Sequence, residues 1–157
     1  MSKRVFFLLV ITVCQLGAMG VALKDAVDCI KYNNFNQLQK ILFSDEREWD
    51  INNNSVFLQT PLLYLAVQYN RIEITNLLFE FGADPNVQEG ENNRTALHEA
   101  IDQGCIEIVT LLVQKGAYAD IKDNNNQTPF DLIKYQCPES KRVELYRLCN
   151  PPTTVGR

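Results

Sequence analysis

The chain repeats itself. Ile72-Glu73-Ile74-Thr75-Asn76-Leu77-Leu78 returns 34 positions later as Ile106-Glu107-Ile108-Val109-Thr110-Leu111-Leu112. Phe81-Gly82-Ala83-Asp84 returns at the same offset as Lys115-Gly116-Ala117-Tyr118. A second box, Thr95-Ala96-Leu97-His98-Glu99-Ala100, reappears at nearly that offset as Thr128-Pro129-Phe130-Asp131-Leu132-Ile133. It also appears earlier, in Thr60-Pro61-Leu62-Leu63-Tyr64-Leu65-Ala66. A period of this length constrains the fold more than any composition does. One such unit cannot bury its own apolar faces, so units must stack, and the core runs along the stack.

Each unit reads as helix, tight turn, helix and polar loop. Lys24 to Tyr32 places Ala26, Val27, Cys29 and Ile30 at helical spacing. Asn33-Asn34 interrupts it, since Asn tolerates the left-handed conformation that a tight turn needs. Phe35 to Phe43 then carries Phe35, Leu38, Ile41 and Leu42 on one face. The second unit turns near Tyr69-Asn70-Arg71, where glycine is missing. The second and third units are 35 apart at Thr60 and Thr95 but 34 apart in the second helix. That predicts one extra residue in the second unit's first helix or its turn, with Thr60-Pro61 opening that helix. Thr95 and Thr128 are placed to cap a first helix, and Pro129 sits at a first helical position. Gly104 supplies the inter-helix turn and Gly116 ends a second helix. Glu139 to Cys149 reads as a closing helix with Val143, Leu145, Tyr146 and Leu148 inward, and Pro151-Pro152 stops it. The expected units are residues 24–55, 56–90, 91–123 and 124–149, within a domain of 21–149, with a loose tail at 150–157.

Thr95, Leu97, His98, Ala100, Gly104, Ile108, Val109, Leu111, Leu112, Gly116 and Ala117 resemble the ankyrin-repeat family. The likeness spans residues 24 to about 149, with degenerate ends. It implies an all-α repeat solenoid of helix–turn–helix units joined by hairpin-like loops. It also implies a concave face that binds another protein. In family terms, the variable contact positions map onto Val56, Phe57, Gln59, Val67 and Gln68 in the second repeat. In the third they map onto Glu91, Asn92, Arg94, Asp102 and Gln103, and in the fourth onto Asn124, Asn125, Gln127, Tyr135 and Gln136. The resemblance makes His98 structural, bonding across the loop. Asn93 and Asn126 stand where the family usually has glycine, so positive φ explains them better than their place in Asn-x-Thr sequons does. Asn53-Asn54-Ser55 is a third sequon.

The first twenty residues do not belong to the repeats. Met1-Ser2-Lys3-Arg4 is basic, Val5 to Cys14 is apolar, and Ala18 and Gly20 are small. This is the three-part pattern of a cleaved secretory leader. The apolar run falls short of the roughly 20 residues of a membrane span. Cleavage after Gly20 removes Lys3 and Arg4 and no acid, moving the formal charge from −4 to −6. An acidic surface disfavours nucleic acid and anionic membranes. Cys29, Cys105, Cys137 and Cys149 remain. An array holds sequence-distant units apart, so only Cys137 and Cys149 are candidates for a disulfide, and reduced thiols are the preferred reading.

No catalytic constellation is present. His98 is the single histidine and has no nucleophile or metal set beside it. No Gly-rich phosphate loop or Cys-x-x-Cys pair occurs. The expectation is a non-enzymatic, cofactor-free and metal-free monomer, secreted or periplasmic, that binds another protein. One version is a secreted effector engaging a host protein, which would place it in host cytoplasm after delivery. Another is a periplasmic protein supporting a stress or redox enzyme. A third is an inhibitor-of-NF-κB-like protein that sequesters a transcription factor and suppresses host immune signalling, against which the leader argues.

Overall fold

In the computed structural model the described residues are 21–44, 50–52, 60–137 and 139–149. The leader at 1–20, the contact positions Val56, Phe57 and Gln59, the Asn53 sequon and the tail at 150–157 lie outside them. The described residues form helices joined by turns, with no strand among them. Residues 21–31 are helical (α1). They are followed by α2 (Phe35–Phe43), α3 (Leu62–Gln68), α4 (Ile72–Glu80), α5 (Ala96–Asp102), α6 (Ile106–Gln114), α7 (Pro129–Gln136) and α8 (Glu139–Cys149).

Odd and even helices have different environments. The short first helices are buried on several sides: Leu62, Leu63, Tyr64, Ala66 and Val67 in α3, and Ala96, Leu97, His98, Ala100 and Ile101 in α5. The second helices bury one stripe, Ile74, Leu77 and Leu78 in α4 and Ile108, Val109 and Leu112 in α6. First helices pack on one another along the series α3, α5, α7, while α2, α4 and α6 touch more sparsely. Ala66 and Ala100, both fully buried, let the first helices approach. A stack that is tighter on one side bends towards it, which makes the first-helix side concave.

The turns follow from positive φ. Asn33, Asn70 and Gly104 take φ of 57°, 52° and 62° after α1, α3 and α5. Gly82 and Gly116 do the same after α4 and α6, at 84° and 88°. Each is the left-handed residue of a Schellman motif. The next N–H reaches back five residues, as Arg71 N does to the Ala66 carbonyl at 2.8 Å and Ala117 N to Leu112 at 2.9 Å. Asn93 and Asn126, at 53° and 58°, adopt the expected conformation in the loops.

The second unit differs from expectation. α3 and α5 are 34 apart throughout, as are α4 and α6. No extra residue lies in the helix or turn. The N-cap of α3 is Pro61, which shares its register with Thr95. Thr60 therefore does not cap the helix; it stands one position earlier, in register with Arg94. Tyr64 consequently occupies the position of His98. Val143 also departs from expectation, being 79 % exposed. It lies two residues, about 200° of helix, from buried Leu145.

Cys137 and Cys149 are both free thiols. Helix α8 explains why they stay apart. Ten residues of rise span about 15 Å, and the two residues from Cys137 to Glu139 recover at most about 7 Å of it. The Cα atoms thus stay at least about 8 Å apart, beyond the about 7 Å that a disulfide spans. Burial, then the neighbouring Cys137, pushes the Cys149 thiol up to about 11.

Neighbouring units are also clamped by asparagine. Asn52 donates to the Gly82 carbonyl at 3.0 Å and accepts from Asp84 N at 2.7 Å. Asn86, at the same place in the next unit, donates to the Gly116 carbonyl at 3.1 Å and accepts from Tyr118 N at 2.8 Å. Asp50 and Asp84 each hold their clamp from two residues upstream, at 3.0 and 2.8 Å. Arg71 and Lys141 reinforce other joints, bonding the Lys31 carbonyl at 3.0 Å and the Gly104 carbonyl at 2.8 Å. Asn86→Ala removes two inter-unit bonds. Urea unfolding should show a loss of about 2 kcal/mol, one for each net hydrogen bond. An unchanged midpoint would refute the clamp.

Candidate protein-binding face

The loops between units are built around two buried carboxylates at equivalent places in successive repeats. Glu89 and Asp123 are 4 % and 7 % exposed. Glu89 accepts the N–H groups of Glu91 at 2.9 Å and Asn92 at 2.5 Å. Its own N–H donates to the Arg94 carbonyl at 2.8 Å. Asp123 accepts from Asn125 N at 2.8 Å and Gln127 N at 2.9 Å, and its N–H donates to the Gln127 carbonyl at 2.9 Å. Charge-assisted bonds of this kind stiffen a turn that offers little apolar area.

The two loop tips are joined to each other. Asn124 N donates to the Asn92 carbonyl at 2.9 Å. The Asn124 side chain donates to the Glu91 carbonyl at 3.0 Å and accepts from the Asn93 amide at 2.6 Å. Gln88 reaches the Lys122 carbonyl at 2.9 Å. The tips thus form one shelf. The side chains of Glu91, Asn92 and Asn125 stay exposed on it.

Behind the shelf, on the first-helix side, lies a polar cluster. Arg94 pairs with Asp102, and lies 3.7 Å from Glu99. The Tyr64 hydroxyl donates to Glu99 at 3.0 Å. Gln103 donates to Glu99 at 2.8 Å and to the Gln68 carbonyl at 3.0 Å. Burial, then the Glu99 carboxylate beside it, raises the Tyr64 phenol well above its ordinary range. The Arg94, Glu99 and Asp102 side chains are only 15 to 22 % exposed.

The expected contact residues therefore divide. Glu91, Asn92, Asn125, Gln68 and Tyr135 are exposed, Tyr135 at 67 %. Asn124 and Gln103 are exposed but committed to bonds within the chain, and Arg94 and Asp102 are half-buried in their ion pair. Gln127 is half-buried, with N–H and carbonyl both bonded. Val67 is fully buried. With the register corrected, Gln68 and Tyr69 are the counterparts of Asp102 and Gln103, and Tyr69 is 39 % exposed. The sequence reading missed Glu89 and Asp123. The signal available was an acid recurring at the repeat offset, just before each Asn-rich tip.

The remaining candidates are structural. Thr128 caps α7 in a reciprocal box with Asp131, the threonine oxygen accepting Asp131 N at 3.1 Å and the carboxylate accepting Thr128 N at 3.0 Å. Pro129 follows at the first helical position. Those bonds from Thr128 hold the Asp131 carboxyl below its ordinary range. His98 is fully buried with both ring nitrogens bonded, to Thr95 and to the Gln127 carbonyl, so it has no edge to offer a substrate. Among the described residues no group of three or more His, Cys, Asp or Glu side chains is placed to hold a metal ion. No helix among them is long and apolar enough to cross a membrane.

Tyr64→Phe tests the cluster. It deletes one bond to a charged, part-buried acceptor, for which about 2 kcal/mol is expected in urea unfolding. A double-mutant cycle with Glu99→Gln should be non-additive. Strict additivity would show that the bond carries no energy.

Comparison with known proteins agrees with this architecture. A family described as "Ankyrin repeats (3 copies)" matches residues 25–129. The rat ankyrin repeat and SAM domain-containing protein 6 is 32 % identical over 122 residues, which cover 77 % of this chain and 13 % of that protein. The bovine ankyrin repeat and SOCS box protein 5 is 32 % identical over 111 residues, covering 64 % of this chain and 33 % of that protein. The chain thus spans a third or less of these relatives. Among solved structures, the ankyrin repeat domain of Bcl-3 superposes with a TM-score of 0.65 at 25 % identity, over 78 % of this chain and 50 % of that one. The stacked helix pairs, their Schellman turns and the buried box histidine are thus features of a known architecture, and the chain belongs to the ankyrin-repeat family.

Proposed function

We propose that this protein works by occupancy, gripping one partner protein on the shelf of loop tips and the adjoining first-helix ends, with no turnover. Ankyrin repeats are protein–protein interaction modules, and that much follows from the family. The observation that supports this particular face is its stiffness. Glu89, Asp123 and the Asn93–Asn124 bond fix the tips, while Glu91, Asn92 and Asn125 project from them and Tyr135 stands exposed near the end of α7. Preorganised side chains lose little conformational freedom on binding, and an exposed tyrosine is a favoured anchor.

The leader pattern in residues 1–20 supports export, and with it a secreted effector acting on a host protein. A periplasmic role beside a stress or redox enzyme shares the export step. Likeness to Bcl-3, described as "a unique member of the IkappaB protein family", supports the reading in which the partner is a transcription factor. That reading requires a chain retained inside the cell, so the mature N-terminus discriminates. N-terminal sequencing of the natural protein should begin at Val21; an intact Met1 sinks export and favours the Bcl-3-like reading. The face is tested by affinity capture. Glu91→Ala/Asn125→Ala/Tyr135→Ala should lower partner recovery at least tenfold without lowering the melting temperature. Glu73→Ala/Glu107→Ala, on the second helices, should leave recovery unchanged. The opposite pattern would move the site to the convex side.

A further inference from the structure

The asparagine clamps recur at a fixed interval, and the third place in the series is filled differently. Asn52 and Asn86 are 34 apart, and 34 further on stands Asp120. Each asparagine accepts one backbone N–H of the following unit and donates to one of its carbonyls. An ionised aspartate only accepts. Asp50 and Asp84, which hold the two clamps from upstream, are succeeded by Tyr118, which is 62 % exposed. Helix α8 follows α6 at an interval of 33, with Leu145 buried as Leu112 is. Cys149 thus takes the register of Gly116, and Pro151 that of Tyr118. Proline has no N–H to give. The chain's own continuation cannot close this joint as the two before it are closed.

At this end of the stack lies an open groove of about 400 Å³, lined by Ala119, Asp120, Thr128, Phe130 and Cys149. Phe130 is 37 % exposed, and its ring meets that of Tyr146 with centroids 5.1 Å apart. The Thr128 hydroxyl is committed to Asp131 at 2.7 Å, and Lys122 and Lys134 act on the same Asp131. Asp120 is exposed, and its carboxylate makes no hydrogen bond or ion pair among the described residues. The groove therefore offers an aromatic wall beside an unpaired carboxylate.

Charge selects the occupant. A second copy stacking by its first unit would bring up Asp25 and Asp28, which line a groove on α1, and like charges oppose that contact. An arginine fits both features. Its guanidinium presents two parallel N–H donors to a carboxylate, and its flat cation packs on an aromatic face. We propose that the end of the stack is a second docking site, apart from the shelf, that takes an arginine-bearing segment of a partner protein. The guanidinium pairs with Asp120 and the side-chain stem lies along Phe130. The groove continues the surface on which the units themselves stack, so the segment enters where a next loop would.

The probe is a blocked Gly-Gly-Arg-Gly-Gly peptide, with glutamate in place of arginine as the control. Each is titrated into the isotopically labelled whole chain and followed by amide shifts in NMR spectra. Saturable shifts should gather on Ala119, Asp120, Phe130 and Cys149 with the arginine peptide and be absent with the control. Asp120→Asn keeps the size and removes the charge, so affinity should fall at least about threefold. Phe130→Leu restores the residue that α5 carries at this place and removes the ring, for a further loss of about threefold. Both variants should keep the wild-type melting temperature. Glu91→Ala/Asn125→Ala/Tyr135→Ala on the shelf and Glu73→Ala/Glu107→Ala on the second helices should bind the peptide as wild type does. Should a groove variant fail to fold, the position of the wild-type shifts and the contrast between the two peptides decide alone. Absent shifts, shifts spread evenly over the acidic surface, equal binding of the control, or wild-type affinity in Asp120→Asn each overturn the proposal.

Discussion

Everything in this molecule depends on one helix lying against its counterpart in the next repeat. Helices α3, α5 and α7 are too short to be stable alone, since isolated helices of this length are marginal in water. They persist because Leu63, Ala66, Leu97 and Ala100 are sealed between neighbours. The cost of the arrangement appears at its end. Phe130 stands where Leu97 stands one repeat earlier, yet it is 37 % exposed. No further first helix covers it among the described residues. Helix α8 compensates, laying Tyr146 against Phe130 with ring centroids 5.1 Å apart.

Identical backbone positions do similar work with unlike side chains. The third residue of α3, α5 and α7 is Tyr64, His98 and Asp131 in turn. Tyrosine ties α3 to α5 through Glu99, histidine ties α5 to the following loop, and aspartate closes a cap on its own helix. Each keeps a buried or half-buried polar atom satisfied. The repeat is thus a backbone solution, and the chemistry that stabilises it is negotiated locally with whatever the neighbouring unit presents.

Local negotiation decides which parts of the structure are legible in the sequence. Turns are readable because their cause is local: the turns take positive φ at Asn33, Asn93, Asn126 and Gly104, and Asn and Gly are the residues that tolerate it. The caps at Thr95 and Thr128 are readable for the same reason. Thr60 misleads because the box matches it to Thr95 letter by letter, whereas the helices align Pro61 with Thr95. The Asn52 and Asn86 clamps, and the carboxylates of Glu89 and Asp123, have partners that the sequence does not place beside them. An asparagine 30 residues from the carbonyl it binds looks like any loop asparagine.

The proposed contact face shows the same division with more consequence. Position in a repeat says where a residue's Cα lies, but whether its side chain is available depends on what faces it. Arg94, Asp102 and Gln103 stand at contact positions, yet they bond within the cluster around Glu99. Asn124 is consumed by the loop before it. These bonds subtract from the surface a partner can use, and they also make the remainder useful. Unbraced, an Asn-rich loop would sample many conformations and lose that freedom on binding. Held by Asp123, Gln127 and His98, the fourth tip presents Asn125 in one geometry. In the proposed mode of binding the residues withdrawn from the surface would therefore act at one remove, because they set the conformation of the exposed ones.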